Sequence, residues 1–173
     1  MRLAAIAIAL AALSGGLAAC SSNSVSPGPE DAGEDTGSVV ACDDPKEETY
    51  AADMQQAGAS NVFTFVLVSS DPAPPANDTN TWVIQLLDSS GQPVIIQLLD
   101  SSGQPNKNAT FTAKATMPTM THGALPVTVT SNGDGTYTLT PLYFFMGGLW
   151  QVALTVTSGS QKDTTSFYFC VAG

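Results

Sequence analysis

From Asn61 to Val171 the chain is written in short runs of β-branched and aromatic residues, cut by proline, glycine and polar turns. That punctuation leaves room for little but strands. The runs are Asn61–Val68, Trp82–Leu87, Ala109–Thr116, Pro126–Thr130, Gly135–Thr140, Leu149–Thr157 and Thr164–Val171. Ser69–Ala76 holds three prolines, which exclude it from a sheet interior. Ser131-Asn-Gly-Asp134 is a hairpin turn signal, and the polar stretch Ser158–Asp163 joins the last two runs. Glu47–Gln56 is the one segment with helical character, enough for about two turns. Seven to eight short strands at this spacing predict an all-β fold, an antiparallel β-sandwich. Asp134-Gly-Thr-Tyr137 places a tyrosine just inside a late strand, as in the tyrosine corner of Greek-key sandwiches. The cysteine such a corner carries two residues on is replaced by Leu139.

The first residues are of another kind. Arg2, an apolar stretch from Leu3 to Leu13, small residues, and Leu17-Ala18-Ala19-Cys20 follow the order of a secretory signal. The placement of Cys20 resembles a bacterial lipobox, in which the thiol is lipidated and becomes the mature N-terminus. An apolar stretch of about ten residues is too short to span a bilayer. Cleavage nearby, giving a plain secreted protein, is the alternative. The expected organisation is a lipoprotein signal peptide at 1–19, a disordered acidic tether at 20–44 and one sandwich domain at 45–173. Eight of the chain's fifteen carboxylates lie between Glu30 and Glu48, among Gly, Ser and Pro, a composition that buries no core. The expected address is the cell envelope, with the anchor facing the periplasm or the cell surface. Ser21 beside Cys20 resembles outer-membrane sorting in some bacteria.

Charge and cysteine content narrow the function further. Removing Arg2 with the signal leaves four lysines against fifteen carboxylates, a net charge of 4 − 15 = −11. Such a chain repels phosphate backbones and has no guanidinium to grip them, so nucleic acid is excluded as a partner. The expected associations are the membrane through the lipid and an envelope protein, the domain itself being monomeric. With Cys20 given to lipid, Cys42 and Cys170 remain, outside the cytoplasm where disulfides persist. A bridge would close about 128 residues and stabilise by roughly 4–5 kcal/mol in the chain-entropy model. A free thiol or a cysteine metal ligand is the other possibility.

Ile84-Gln-Leu-Leu-Asp-Ser-Ser-Gly-Gln-Pro93 recurs letter for letter as Ile96–Pro105. The offset of twelve is even, so both copies present the same side chains to the same sheet face. One outcome is an added hairpin turning at Ser89–Pro93, which is the expectation. The other keeps one copy in the sheet and loops the other out.

Several motifs run in a telling order: Trp82 opening a strand, Asp88-x-x-Gly91-x-Pro93-Val94, Met117-Pro118 leading to His122-Gly123, Gly133-Asp-Gly-x-Tyr137, and Met146-Gly-Gly-Leu-Trp150. Together they resemble the YtkA-like, FixH-related domains of bacterial envelopes, over about residues 60–171. The resemblance implies an immunoglobulin-like sandwich and an envelope role, linked in some relatives to handling copper or other metals. Thioether sulfur is soft and imidazole borderline, a pairing suited to copper, Cu(I) above all. Met120 and His122 would share one face of an extended segment, with Met117 and Met146 as further ligands. Where relatives carry a second histidine in the Met-Pro segment, this chain has Met120. Packing is the competing account of the same residues, because methionine fills cores. Trp82, Phe144, Phe145 and Trp150 read as core. One histidine, no Gly-x-Ser-x-Gly and no spare nucleophilic cysteine speak against an enzyme.

Overall fold

The computed structural model describes residues 42–173, apart from Asp100, Pro105, Lys107 and residues 121–124. The signal segment, Cys20, most of the tether and His122 therefore lie outside the described residues. Among the described residues there are eight strands: β1 Met54–Ala57, β2 Thr64–Asp71, β3 Asp78–Leu87, β4 Ala109–Thr116, β5 Thr128–Ser131, β6 Thr136–Phe144, β7 Gly148–Ser158 and β8 Gln161–Val171. They form a five-stranded sheet in the order β1-β2-β3-β6-β5 and a three-stranded sheet in the order β4-β7-β8. Every pairing is antiparallel. Without β1, these are the A-B-E-D and C-F-G sheets of an immunoglobulin constant-type sandwich.

Alternation makes the two inner faces. Phe111, Trp150, Val152, Leu154, Val156, Phe167 and Phe169 from the smaller sheet meet Phe65, Leu67, Trp82, Ile84, Tyr137 and Leu139 from the larger. Trp82 lies at the centre, edge-on to Phe144, Phe167 and Phe169 with centroids 5.5–6.4 Å apart. Its indole N–H has no hydrogen-bond partner among the described residues, a cost that burial of so large a ring outweighs. The antiparallel order also sorts the connections. Those after β2, β4 and β6 emerge at one end of the sandwich, together with the end of β8, and those after β3, β5 and β7 at the other.

The helix expected at Glu47–Gln56 is absent. The segment runs along the free edge of β8, where Glu48 N–H donates to Tyr168 O at 2.8 Å and the Glu48 carboxylate accepts the Tyr168 N–H at 2.8 Å. Asp53 takes a left-handed φ of 61°, and Met54 then enters β1. An edge strand offering unpaired backbone groups outcompetes two isolated helical turns. Sulfur closes the same seam, for Cys42 and Cys170 form a disulfide with Cα atoms 5.8 Å apart.

The repeat resolves as the looped-out arrangement. Copy one completes β3, and the chain turns at Asp88–Gln92, where Asp88 Oδ1 accepts the Ser90 and Gln92 N–H groups at 2.8 and 2.9 Å. The return limb meets β3 at the Leu87–Pro93 bridge and through Val94 N–H to Leu86 O at 2.8 Å. Residues 94–98 belong to no strand, so the expected hairpin has its turn but not its ladder. Both copies keep their parity: Ile84 and Leu86 are fully buried, and Ile96 is buried at 2 % exposure. The turns match too, with Gly91 at φ 76° and Gly103 at φ 77°.

Tyr137 holds the second copy down. Its hydroxyl accepts the Ile96 N–H at 2.5 Å and donates to Val94 O at 3.2 Å. It sits on β6 in the larger sheet and reaches back more than 40 residues, so it is a clamp on the β3–β4 connection and not a tyrosine corner. Burial raises its pKa, with a further push from Asp134, against a lowering by the Ile96 N–H. Tyr137→Phe is expected to cost about 1–3 kcal/mol, since it leaves a buried amide and carbonyl unpaired. Hydrogen exchange at the Ile96 amide should accelerate well beyond that at Leu139, which lies on β6 with Tyr137.

Asp163 is the misplaced residue of the turn assignment. The turn after β7 is only Gly159-Ser160, and Asp163 lies inside β8 at 1 % exposure. Its Oδ1 accepts N–H groups of Ser60 and Thr164 at 2.8 and 2.9 Å, and its Oδ2 those of Val62 and Phe63 at 2.8 and 3.0 Å. One carboxylate thereby ties β8 to the loop entering β2 of the opposite sheet. Gly58 lies so close that an added Cβ would fall 2.1 Å from Asp163 Oδ2.

Candidate functional site

The methionines gather where the connections after β4 and β6 emerge together. Met117 continues the inward parity of Ala109, Phe111 and Ala115 and is buried at 2 % exposure. Its Cε lies against Gly148, where an added Cβ would come within 2.6 Å at φ 133°. Gly148 thus lets the turn of β6 into β7 close onto the end of β4. Past Pro118 the chain turns back, Met120 N–H donating to Met117 O at 3.1 Å, and Met120 stands 45 % exposed. Met146 on the facing turn is 36 % exposed. Its carbonyl is fixed by the Trp150 Nε1–H at 2.9 Å, and Trp150 is flanked by Phe144, tilted at 5.0 Å, and by Phe145, edge-on at 5.1 Å.

Two exposed methionines therefore stand on the connections at this end, and the buried Met117 packs against Gly148 in the second of them. His122, two residues beyond Met120, lies outside the described residues. The donor chemistry suits a soft cation: neutral sulfur bonds weakly to calcium or magnesium and well to Cu(I). Phe144 and Trp150 are fully buried, which places them in the core, as does Trp82. Phe145 is 37 % exposed and covers Trp150 from outside.

A second feature occupies the far end. An open groove of about 650 Å³ runs between residues 95–99 of the second copy and Val129, Thr130, Ser131 and Gly133. Ile95 and Leu99 are 55 % and 57 % exposed along it. Its signal in the sequence is Val94-Ile95-Ile96, three apolar residues in succession, of which alternation must turn one outward. Among the described residues no ionisable side chain lines it. Among the described residues no helix is long and apolar enough to cross a membrane.

Comparison with known proteins matches residues 94–155 to the YtkA-like family. The matched stretch contains the second repeat copy, β4, both methionine turns and the β5–β6 hairpin. It starts just after Pro93, so the Asp88-x-x-Gly91-x-Pro93 motif of the first copy falls outside it. No curated protein matches the chain. Among solved structures, "as isolated" FetP of uropathogenic E. coli strain F11, expressed recombinantly in the periplasm of E. coli BL21(DE3), is 10% identical. The alignment covers 72% of this chain and 96% of FetP with a TM-score of 0.42, an overlap too loose to carry an argument.

Proposed function

From the match of residues 94–155 to the YtkA-like family we propose an exported, lipid-anchored envelope protein that handles copper without catalysis. The observation that carries the reading is the meeting of the Met117–Met120 turn with the Met146-Gly147-Gly148 turn at one end of the sandwich. Met120, Met146 and His122 would hold the ion at the surface, and Met117 would supply sulfur from below. Bound there, Cu(I) gains soft ligands and keeps an open side for transfer to another protein. The Cys42–Cys170 bridge supports an oxidising compartment, and the Leu-Ala-Ala-Cys20 motif supports the anchor. In this reading Cys20→Ala moves the protein from the membrane fraction to the soluble fraction.

Titration of the full chain with Cu(I) against a competing chelator tests the metal. About one equivalent should bind with a sub-micromolar dissociation constant, and Met120→Ala or His122→Ala should abolish binding. Met117→Leu keeps the core volume nearly constant, so a loss of affinity in that variant reports the sulfur and not the packing. The absence of copper binding would leave the second reading, a metal-free interaction module. The apolar groove beside β5, an edge strand of the larger sheet, favours that alternative.

A further inference from the structure

The strap carrying Cys42 is held against β8 by contacts that do not involve sulfur. Besides the two Glu48–Tyr168 backbone-edge bonds, the Lys46 ammonium lies 5.6 Å from the Tyr168 ring centroid. Tyr50 meets Phe169 edge-on at 6.1 Å, and its hydroxyl accepts the Ser70 N–H at 3.0 Å. Between Cys42 and Glu48 the chain folds into a turn on Asp44, whose Oδ1 accepts the Lys46 N–H and whose carbonyl accepts the Glu47 N–H, both at 2.9 Å. That turn aims Glu47 at the disulfide. A Glu47 carboxylate oxygen and the sulfurs of Cys42 and Cys170 all lie within 4.8 Å of one another. Glu47 is exposed and both cysteines are half-buried, so the cluster opens to solvent.

Two cysteines and a carboxylate are a zinc-type ligand set once the cysteines are thiolates. Zinc–sulfur bonds of about 2.3 Å at a tetrahedral angle hold two sulfurs about 3.8 Å apart. Cα atoms 5.8 Å apart accommodate that separation by side-chain rotation. In the disulfide neither sulfur carries the negative charge a divalent ion needs. We propose that reduction of the Cys42–Cys170 bridge converts this seam into a site for a thiophilic divalent cation of the zinc class, held by Cys42, Cys170 and Glu47 with water in the fourth position. A dithiol reductant supplies two electrons and two protons, leaving as its own disulfide. Each cysteine thiol then gives its proton to solvent as the cation binds, so one ion enters and two protons leave. The site is separate from the methionine cluster in chemistry, because thioethers hold zinc poorly.

The test uses the full chain with Cys20→Ser, so that no third thiol competes. The chain is reduced with a phosphine, freed of reductant without oxygen, and titrated with Zn²⁺ against a chromogenic chelator. Cd²⁺ is titrated in parallel to read thiolate-to-metal charge transfer. About one equivalent of zinc should bind the reduced chain and none the oxidised chain, with cadmium giving the thiolate absorption. Cys170→Ser should abolish binding. Glu47→Gln should weaken it at least about ten-fold, since even groups behind metal ligands cost that much when removed. Equal binding by the oxidised chain, unchanged affinity in Glu47→Gln, or a folded reduced chain that takes no zinc would each overturn the proposal. So would a reduced chain whose circular dichroism shows it unfolded, because the sulfur-free contacts would then fail to keep the ligands together.

Discussion

Replacing Asp163 with alanine is expected to lower the unfolding free energy by at least about 3 kcal/mol at neutral pH, from the loss of charge-assisted hydrogen bonds of roughly 1.5–3 kcal/mol each. Four backbone N–H groups end on this carboxylate, and three of them belong to the loop that enters β2. No neighbouring side chain replaces the acceptor in the variant, so only water entering the seam can answer those amides. Asparagine is no remedy, because its NH₂ would face donors where Oδ1 or Oδ2 now accepts. The pH dependence separates the charge from the shape. Burial pushes the Asp163 pKa up, but the N–H groups of Phe63, Ser60, Val62 and Thr164 outweigh it, and the net shift is downward. A depressed folded-state pKa means that the stabilisation is complete above the unfolded carboxylate value of about 3.9 and is lost as pH falls through the lower folded value. Urea titrations of wild type and Asp163→Asn should therefore differ widely at pH 7 and converge in strong acid. A constant gap across that range would show that packing, not the carboxylate, ties the loop. Gly58→Ala should produce a related defect with the carboxylate intact, since its methyl group would occupy the Asp163 position.

The strands were legible from their β-branched and aromatic runs between turn signals, and β4 falls at Ala109–Thr116, where the two-residue alternation places it. The same period contains more than a strand assignment. Met117 shares the inward parity of Phe111 and Ala115, and Asp163 that of Phe167, Phe169 and Val171, so both burials were written in the pattern. Asp163 hides because a lone acid after Gln-Lys resembles a solvated turn, and three of its four donors come from a loop 100 or more residues earlier. The repeat is opaque for a different reason. Two identical decapeptides have identical propensities, and only what precedes them decides which enters the sheet. Asn80 and Trp82 continue the β3–β6 ladder into the first copy, whereas Pro93, lacking an N–H, stands before the second. The chemistry of the proposed copper site was legible as residue types. Its geometry was not, because the two methionine turns meet only through the exchange of strands between sheets.

Removing the disulfide should have the other large effect. A Cys42→Ser/Cys170→Ser chain is expected to lose about 3–5 kcal/mol, the span between the usual cost of a native bridge and the chain-entropy value for a loop this long. At the sensitivity typical of a domain this size, that is a fall of roughly 10–15 °C in Tm. The loss should be almost wholly global, because the bridge acts on the unfolded chain while Glu48, Tyr50 and Lys46 still bind the strap to β8 in the folded one. Hydrogen exchange distinguishes this from local release. With the strap still seated, the Tyr168 N–H, whose acceptor is Glu48, should exchange only as fast as the lowered global stability dictates. Exchange at Tyr168 much faster than at Val152 would mean that the strap leaves when sulfur does. Glu48→Ala in the disulfide-free background sharpens the comparison, for it removes the side-chain acceptor of the Tyr168 N–H. The cost of Glu48→Ala should be larger there than in the bridged protein, where the covalent link keeps the strap close even without that bond. Equal costs in the two backgrounds would mean that sulfur and Glu48 hold the edge of β8 independently.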